Sequence, residues 1–466
     1  MMFKIAFRNV FRNRRRSLMT MLAIAVGAVA IVLFGEFIGF IRVALKTMTI
    51  ESVGHLTVFR SGYFDYGAGN PLAFGIDDYQ GVIRLIQEDP EIKPMLNVIT
   101  PTVSVAGIAG NFEVNASKTF FGTGFVPSDR DRMLRWDEQG IFTTRVRKPS
   151  GLHDEDEASG VVGVGLARVL GFCEKLGIKN CPPRPQLIAP SPTAESEAPD
   201  IAALAQAERE QIQAAPADAR PRLDLLAATA GGAPNVMSLF ISAAEPQSAR
   251  ELDESFIAMH LKLAQKLLYG RNEPKAMAIV LQLHRTGDIA AVRSRLKTVF
   301  QQHHLDLEVR DFVERQPFYK QAVDMFDAIF FFISLIMGVI VLFTVVNTMG
   351  MSVMERTNEI GTARALGVRR SGTRNVFIIE GAFLGALGAT VGIVIGQLIA
   401  VAFNHMGATW TPPGNAAPVP LRVLTSGVVP LLSGAWLGLV LMATVAAVIP
   451  ANRAARLKVV DALRHV

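Results

Sequence analysis

The side chains with the clearest capacity for a specific interaction lie in one short segment, Met354–Gly367. Its charged members are Glu355, Arg356, Glu359 and Arg364. Carboxylate and guanidinium groups at helical spacing form directional ion pairs with a complementary surface. The chemistry predicted for this segment is therefore binding, and we expect these four residues to dock on another protein.

The same segment has the features of a short capped helix. Ile360 and Leu366 contribute to an apolar edge. Gly361 and Ala365 are small, and Gly367 fits the position that follows a helix end. Such a helix can dock in a groove of a partner and pass movement to the chain on either side. The alternative is a solvated loop whose arginines only set topology, which would need neither the glutamates nor a cap.

No residues occur at the spacing that catalysis or metal binding needs. The sequence has no GxxxxGK[ST] phosphate loop, HExxH, CxxC or GxSxG motif. His303 and His304 are an isolated pair, so no metal site is predicted. The run Asp154–Glu157 is expected to be a solvated acidic turn, with a cation site as the alternative. We expect this chain to have no enzymatic activity and no cofactor of its own.

Four uncharged segments of the chain are long enough to cross a bilayer. With 50% hydrophobic and only 19% charged residues, the chain also departs from ordinary soluble proteins, which carry about a quarter charged residues. About 20 apolar residues span the hydrocarbon core. The segments are Leu18–Gly35, Ala328–Met354, Gly381–Asn404 and Val423–Asn452. The sequence therefore predicts an integral membrane protein with four transmembrane helices, the first a retained anchor.

The positive charge is confined to short segments beside these spans. Residues 1–17, 355–375 and 451–466 together carry a net charge of +12, whereas the whole chain carries +6. Short cytoplasmic loops are enriched in Lys and Arg. Both termini and the 355–375 loop should therefore be cytoplasmic, and a nucleic-acid partner is not expected.

This topology divides the chain into nine segments. The external ones are an α+β domain at 46–325 and a loop at 404–427. A basic amphipathic helix at 1–17, with Phe3, Phe7, Val10 and Phe11 on one face, should lie on membrane lipids. The remaining segments are transmembrane helices at 18–45, 326–354, 376–403 and 428–450, the coupling loop at 355–375 and the tail at 451–466.

The external domain should be an α+β fold built from two parts of the sequence, roughly 46–150 and 235–315. Between them, a Pro- and Ala-rich insert at about 182–222 contains one expected helix at 201–214. The expected strands are Val53–Phe59, Val98–Ile108, Met277–Leu283 and Leu305–Val309, and the expected helices are Ala249–Leu268 and Ile289–Phe300.

Cys173 and Cys181 are the only cysteines, and both lie in the external segment. A short Cys-x7-Cys loop in an oxidising compartment favours a disulfide, and two free thiols are the alternative.

The third span carries five glycines at spacings of four, three, four and four, which places them on one helical face. Such a face lets helices approach closely, either within the bundle or between subunits, although a sliding or gating role is the alternative. The glycines are Gly381, Gly385, Gly388, Gly392 and Gly396.

Glu36, near the outer end of the first span, is either a functional group at membrane depth or a side chain that reaches interfacial water. Gln397 is expected to form an interhelical hydrogen bond.

At the residues of the charged loop the chain resembles the FtsX/MacB-type permease family of ABC systems. The start of the external domain, at Gly54-His55-Leu56 and Gly62-Tyr63, is also similar to lipoprotein-releasing permeases. Asn358, where the family often has a basic residue, and Val459, where it often has proline, depart from the pattern. The resemblance rests on Glu355-Arg356, Glu359-Ile360-Gly361, Arg364–Gly367, Glu380-Gly381, the tail segments Pro450–Arg456 and Asp461–Arg464, and the start at Phe7-Arg8-Asn9 and Asn13–Arg16.

The resemblance implies a bacterial inner-membrane protein whose large α+β extracytoplasmic domain lies between the first and second transmembrane helices. It implies two copies of a separate ABC ATPase that bind ATP and contact the 355–367 loop, and a second permease subunit, identical or related. Movement of the external domain would then act on lipoprotein, lipid or hydrophobic peptide, with or without a periplasmic or outer-membrane partner. The alternative is a signalling scaffold that activates a cell-wall hydrolase.

Overall fold

The chain is described here by a computed structural model. The structure describes residues 6, 8, 12, 14–67, 69–140, 151–179, 181, 220–247, 249–270, 274–411, 419–459 and 462. The polypeptide forms two compact units. The first contains Met1–Lys46, Pro317–Trp410 and Val419–Val466, and the second contains Thr47–Gln316 and Thr411–Pro418.

Thirteen helices in the described part of the chain are numbered here in chain order. Three of them, α2, α6 and α9, are single turns of four residues. The helices are α1 (Arg14–Val53), α2 (Tyr63–Tyr66), α3 (Tyr79–Glu88), α4 (Pro127–Met133), α5 (Val164–Val169), α6 (Arg250–Asp253), α7 (Leu261–Tyr269), α8 (Ile289–Gln302), α9 (Phe312–Arg315), α10 (Pro317–Glu355), α11 (Thr357–Ala365), α12 (Arg370–His405) and α13 (Val429–Arg456).

Four helices of the described chain, α1, α10, α12 and α13, are long and apolar enough to cross a membrane. They contain 40, 39, 36 and 28 residues, against the roughly 20 that a bilayer core requires. Helix α1 continues to Val53, past the predicted end of the first span, and α10 begins at Pro317, before the predicted start of the second.

The bundle core of the first unit combines small and branched side chains from all four long helices. Ile24 and Ala28 of α1, Val345 of α10, Leu384 of α12 and Ala443 of α13 are all at most 3% exposed. Small residues allow helix backbones to approach closely where lipid surrounds the bundle. This apolar part of the core therefore depends on the close fit of side chains.

The second unit contains nine of the eleven strands of the described chain, and these join in one continuous set of pairings. Strands β10 and β11 form a separate pair. The strands are β1 (Leu56–Arg60), β2 (Leu96–Asn111), β3 (Ala116–Phe125), β4 (Ser159–Gly163), β5 (Arg222–Ala228), β6 (Pro234–Glu245), β7 (Phe256–His260), β8 (Ala278–Leu283), β9 (Leu307–Asp311), β10 (Thr409–Trp410) and β11 (Val419–Pro420).

One part of this unit is an antiparallel sheet of order β2-β8-β1-β9. In chain order, β1-α3-β2 and β8-α8-β9 are two βαβ units, which is the split βαβ arrangement. Apolar residues of α3 and α8 pack with those of the strands in one core, including Ile86, Leu281 and Leu296. The chain segments on either side of residues 150–235 thus meet in one sheet.

The other part is a closed ring of six strands, β2-β3-β7-β4-β6-β5, in which β5 pairs back with β2. The 16-residue strand β2 belongs to both parts: Leu96–Thr102 pairs with β8, whereas Val103–Asn111 pairs with β3 and β5. Closure removes the free edges that an open sheet would expose.

Two expectations about this domain require correction. The predicted helix at Ala249–Leu268 is the short helix α6, the buried strand β7 and the helix α7, since Phe256–His260 pairs with β3 and β4. The sheet also takes β4 and β5 from the region between the two predicted parts. The expected helix at 201–214, and most of the 182–222 insert, lie outside the described residues.

The acidic turn is not fully solvated, in contrast to the expectation. Asp156 pairs with Arg220 at 2.5 Å, and Glu157 pairs with Lys262 and Lys266 at 2.7 and 2.6 Å. Hydrogen bonds from both lysines lower the pKa of Glu157 to about 2. Asp154 and Glu155 are exposed. The turn therefore fastens this part of the chain to α7.

Cys173 and Cys181 form a disulfide in the structure, with a Cα–Cα distance of 6.3 Å. The bridge closes the loop that follows α5.

Candidate coupling site

The charged segment forms α11, a nine-residue helix that joins α10 to α12. Only Arg356 separates it from α10, and Leu366 to Arg369 connect it to α12. Gly367 has a φ of +95°, a left-handed conformation that glycine adopts without strain. Helix α11 is therefore a short capped helix between two long apolar helices.

One face of α11 is buried against its own bundle. Thr357, Ile360 and Gly361 have little solvent exposure, and Ile360 is 7% exposed within the apolar core. This corrects the expectation that Ile360 and Gly361 present a contact surface. Thr357, Ile360 and Gly361 lie on one side of the helix, and their burial instead fixes the orientation of α11 on the long helices.

All four charged residues of the segment have partners within the chain. Glu355 pairs with Arg16 of α1, and Glu359 pairs with Arg12, which precedes α1. The Arg364 guanidinium donates hydrogen bonds to carbonyl oxygens at the C-terminal end of α13, one of them Ala455 O at 3.2 Å. Carbonyls at a helix end lack intrahelical donors, so they are natural acceptors for this arginine.

The fourth charged residue, Arg356, forms a buried ion pair with Glu380 of α12. The Nη1 to Oε2 distance is 3.2 Å, and the side chains are only 6% and 4% exposed. The predicted role of Arg356 as a contact residue for another protein is corrected, because its guanidinium lies inside the bundle. The family resemblance includes Glu380 but does not identify it as the partner of Arg356; a glutamate directly before the uncharged run Gly381–Asn404 was a usable signal.

Apart from Glu359, which pairs with Arg12, the exposed side of α11 is formed by uncharged residues. Asn358, Thr362 and Ala365 are exposed, and the following Leu366 is 83% exposed. Their spacing of three and four residues places them on one side of the helix. An apolar side chain this exposed at the tip of a short helix is suited to insertion into an apolar groove of a partner.

The five glycines of α12 bring this helix against two different neighbours. Added Cβ atoms at Gly381 and Gly385 would lie 2.4 and 2.8 Å from Ala447 and Ala443 of α13. Those at Gly388, Gly392 and Gly396 would instead meet α1, the closest at 2.4 Å from a backbone oxygen. The glycine face therefore serves packing within the chain's own bundle.

Glu36 is fully buried by its own chain, so it does not reach interfacial water as one prediction held. Its Oε1 accepts a hydrogen bond from Gln397 of α12, which is the predicted interhelical bond. Within the described part of the chain, Oε2 has no hydrogen-bond partner. Glu36 and Gln397 thus extend the contact between α1 and α12 beyond Gly396.

The sites predicted from sequence do not converge on one centre. The glycines and the α11 segment share the helical unit, whereas the cysteines lie in the other unit. Among the described residues, no group of three or more His, Cys, Asp or Glu could hold a metal ion. The aromatic face predicted for residues 1–17 lies outside the described residues. The residues around α11 can form binding contacts, and α11 can move with what it binds.

Comparison with known proteins gives a match to the FtsX-like permease C-terminal family over residues 331–459. The chain is 37% identical over 119 residues to the macrolide export ATP-binding/permease protein MacB of Nitrobacter winogradskyi, which covers 26% of this chain and 16% of that protein. It is 34% identical over 131 residues to the protein of the same name from Neisseria gonorrhoeae, covering 28% of this chain and 18% of that protein.

An uncharacterized ABC transporter permease of Methanocaldococcus jannaschii is 29% identical over 160 residues, covering 33% of this chain and 39% of that protein. The similarity thus spans well under half the length of each of these relatives. The matched family region contains most of α10, all of α11 and α12, and α13. Residues 331–459 of this chain are thus similar to the C-terminal domain of FtsX-like permeases and to MacB-type ABC transporter permeases, and the described chain has four helices apolar enough to cross a membrane.

Proposed function

We propose that this chain is the permease subunit of an ABC complex in which a separate ATPase hydrolyses ATP and drives movement of the α+β domain. The complex would contain two ATPase subunits and a second permease subunit, identical or related. The movement would extract or export lipoprotein, lipid or hydrophobic peptide. In this proposal the chain carries out no catalysis itself, and ATP is bound by the partner.

The observation that carries this proposal is the two-sided character of α11. Its inner face and the four charges of the 355–364 segment are engaged within the chain, while its outer face ends in the 83% exposed Leu366. A helix that only connected two spans would need no exposed apolar tip. Because α11 is tied to α1, α12 and α13 at once, a push on its outer face would reach the whole bundle.

The relatives support the same reading. Two of them are named as ATP-binding/permease proteins for macrolide export, and the aligned region covers less than a fifth of each. We assign ATP binding to a separate subunit because the resemblance to the FtsX/MacB-type permease family implies one. The cargo class follows from the resemblance to lipoprotein-releasing permeases.

The charge distribution gives the proposed topology. The basic segments at 1–17, 355–375 and 451–466 would face the cytoplasm of a bacterial inner membrane, and 46–325 would face the other side. In this orientation α11 is accessible to a cytoplasmic ATPase, and membrane lipids surround the four long helices.

Photo-crosslinking in intact cells tests the proposal. A photoreactive residue at Leu366 is expected to capture a protein that carries the ATP-binding cassette motifs. The same probe at Phe343, which is 67% exposed on the apolar helix α10, is the matched control and should not capture that protein. Capture of any other class of protein at Leu366, or equal capture at both positions, would refute the docking assignment.

A substitution provides the complementary test. Leu366→Asp places a charge where the partner groove should be apolar, so co-purification of the captured ATPase should fall at least tenfold. Arg374→Gln removes a charge from an exposed position on α12 and should leave co-purification unchanged. Retention of the ATPase by Leu366→Asp would show that α11 does not dock through this side chain.

A further inference from the structure

The connections between α11 and the long helices differ greatly in their exposure to water. Glu355 and Glu359 are 50% and 57% exposed in their pairs with Arg16 and Arg12. Pairs as exposed as these are screened by solvent and open easily. The Arg356–Glu380 pair is about 5% exposed, so separating its partners would leave two charges without water. Of these three ion pairs, Arg356–Glu380 therefore resists separation most strongly during a movement.

We propose that Arg356 and Glu380 form a buried link that makes α11 and the first part of α12 move as one body when a partner displaces α11. This inference rests on the proposed function and names the residues that transmit the movement. Both are positioning residues, because neither side chain reaches the outer face of α11.

The backbone around Arg356 makes such a link stiff. Its N–H donates to Ser352 O of α10 at 3.2 Å, and its C=O accepts from the Ile360 N–H of α11 at 2.9 Å. The residue is therefore held by hydrogen bonds on both sides of the junction, and a displacement of α11 carries the guanidinium with it.

The position of Glu380 determines where the displacement goes. Glu380 directly precedes Gly381, whose missing Cβ allows α12 to contact Ala447 of α13. Further along α12, Gly392 packs on Ala25 and Ala28 of α1. A shift of α12 at Glu380 thus meets close backbone contacts with two other long helices, and little of it can be absorbed by side-chain rearrangement.

Net stabilisation alone does not account for this pair. Burial of two charges costs solvation energy, and well-packed apolar side chains in the same space are often as stable or more so. What the ion pair adds over an apolar contact is a defined geometry between two particular atoms. A defined geometry of this kind can transmit a displacement from one helix to the other in one direction.

The first experiment measures the link in the full-length chain alone, in lipid nanodiscs. Spin labels at exposed Thr362 of α11 and Val391 of α12 report the distance distribution between the two helices, and the disulfide-bonded Cys173 and Cys181 do not take the label. We expect one narrow distance in the otherwise unchanged chain. Glu380→Gln should broaden the distribution at least twofold.

Charge exchange distinguishes a link from a general packing role. The double variant Arg356→Glu/Glu380→Arg should restore the narrow distribution, and the conservative Glu380→Asp should stay within about 1.5-fold of the starting width. Arg374→Gln, which removes a charge from the same helix, should change nothing. An unchanged width in Glu380→Gln would overturn the proposal, as would a double variant that folds and stays as broad as the single one.

The second experiment adds the ATPase captured at Leu366 and measures ATP-driven change in the same distances and in ATPase activity. Glu380→Gln should bind the ATPase with an affinity within about twofold of that of the unchanged chain. The stimulation of ATPase activity by the permease should fall at least tenfold in this variant. Full stimulation in this variant would overturn the link. Absence of any ATPase binding by the unchanged chain would instead refute the proposed function, whatever the nanodisc distances show.

Discussion

The close contact between α12 and the backbone of α1 gives the sharpest prediction, because its geometry forbids even one added methyl group. A Cβ atom at Gly392 would lie 2.4 Å from Ala25 O and 2.6 Å from Ala28 Cβ. Ordinary contact begins at 3.4 Å, so Gly392→Ala requires α1 and α12 to separate by about 1 Å. The obstacle at Ala25 is backbone, which cannot rotate away.

The expected magnitude follows from two opposing effects. Overpacking of a close contact costs about 1–3 kcal/mol, and a rigid backbone obstacle places this site in the upper half of that range. Alanine regains about 1 kcal/mol of helix propensity over glycine. The net loss in the free energy of unfolding should therefore be about 1–2 kcal/mol.

Two other glycines provide matched controls. At Gly396 the nearest atom is a Val32 methyl at 3.3 Å, which needs to move by only a few tenths of an ångström. At Gly434 of α13 no atom of the described chain lies within 4 Å. Gly396→Ala should be close to neutral, and Gly434→Ala should gain up to about 1 kcal/mol from helix propensity.

Unfolding of the full-length chain in detergent micelles, followed by tryptophan fluorescence and circular dichroism, would rank the three variants. Equal destabilisation by Gly392→Ala and Gly396→Ala would show that the spacing between α1 and α12 does not set the cost. A stabilised Gly392→Ala would contradict the steric argument altogether.

Three further predictions concern other parts of the chain. The pKa of Glu157 falls from 4.5 to about 2 on folding, so Glu157 should add stability above pH 4.5 that is lost between pH 4.5 and 2. Its partial exposure limits this contribution to under about 1 kcal/mol. Acid unfolding of Glu157→Gln should not show this loss of stability. Cys173→Ser should cost about 2–3 kcal/mol, and chemical denaturation after reduction should reproduce the loss. Glu36→Leu should lower the thermal midpoint more than Glu36→Gln, because the glutamine keeps a hydrogen-bond partner for Gln397.

The membrane helices could be predicted from sequence because the length and hydrophobicity of a segment along the chain are enough to identify them. Backbone groups in lipid must be satisfied within the segment, so an uncharged run of adequate length has to be helical. Ala328–Met354 and Gly381–Asn404 indeed lie within α10 and α12. Local patterns also located β8 and α8, where Met277–Leu283 and Ile289–Phe300 differ from the observed bounds by at most two residues.

The strands of the α+β domain were harder to predict from the sequence, because they pair with strands that are distant along the chain. Strand β7 is five residues long and, apart from His260, apolar on both faces, so periodicity could not distinguish it from the helices beside it. The closure of the six-strand ring depends on β2 pairing with β5 more than 100 residues later, as Ile108 does with Leu226. No local signal encodes that register.

The candidate coupling site shows that a charged motif does not by itself define which surface its side chains contact. The four charges of the 355–364 segment were read as a surface for a partner, because a sequence shows charge without showing direction. In the structure Glu359 meets Arg12, which lies 347 residues away, and Arg356 is buried. Helix α11 is too short to be stable by itself, and the buried Ile360 and the Arg356–Glu380 pair attach it to the long helices.

If α11 is displaced repeatedly by an ATPase, as we propose, the separation of roles between its two faces has a physical logic. A contact that forms and breaks in each cycle should not leave a desolvated charge behind, and Leu366 entering an apolar groove leaves none. A contact that must hold throughout the cycle benefits from the opposite property, which the buried Arg356–Glu380 pair has. If the charges instead faced the partner, each release of the partner would also release α11 from its bundle, and the push would not reach the long helices.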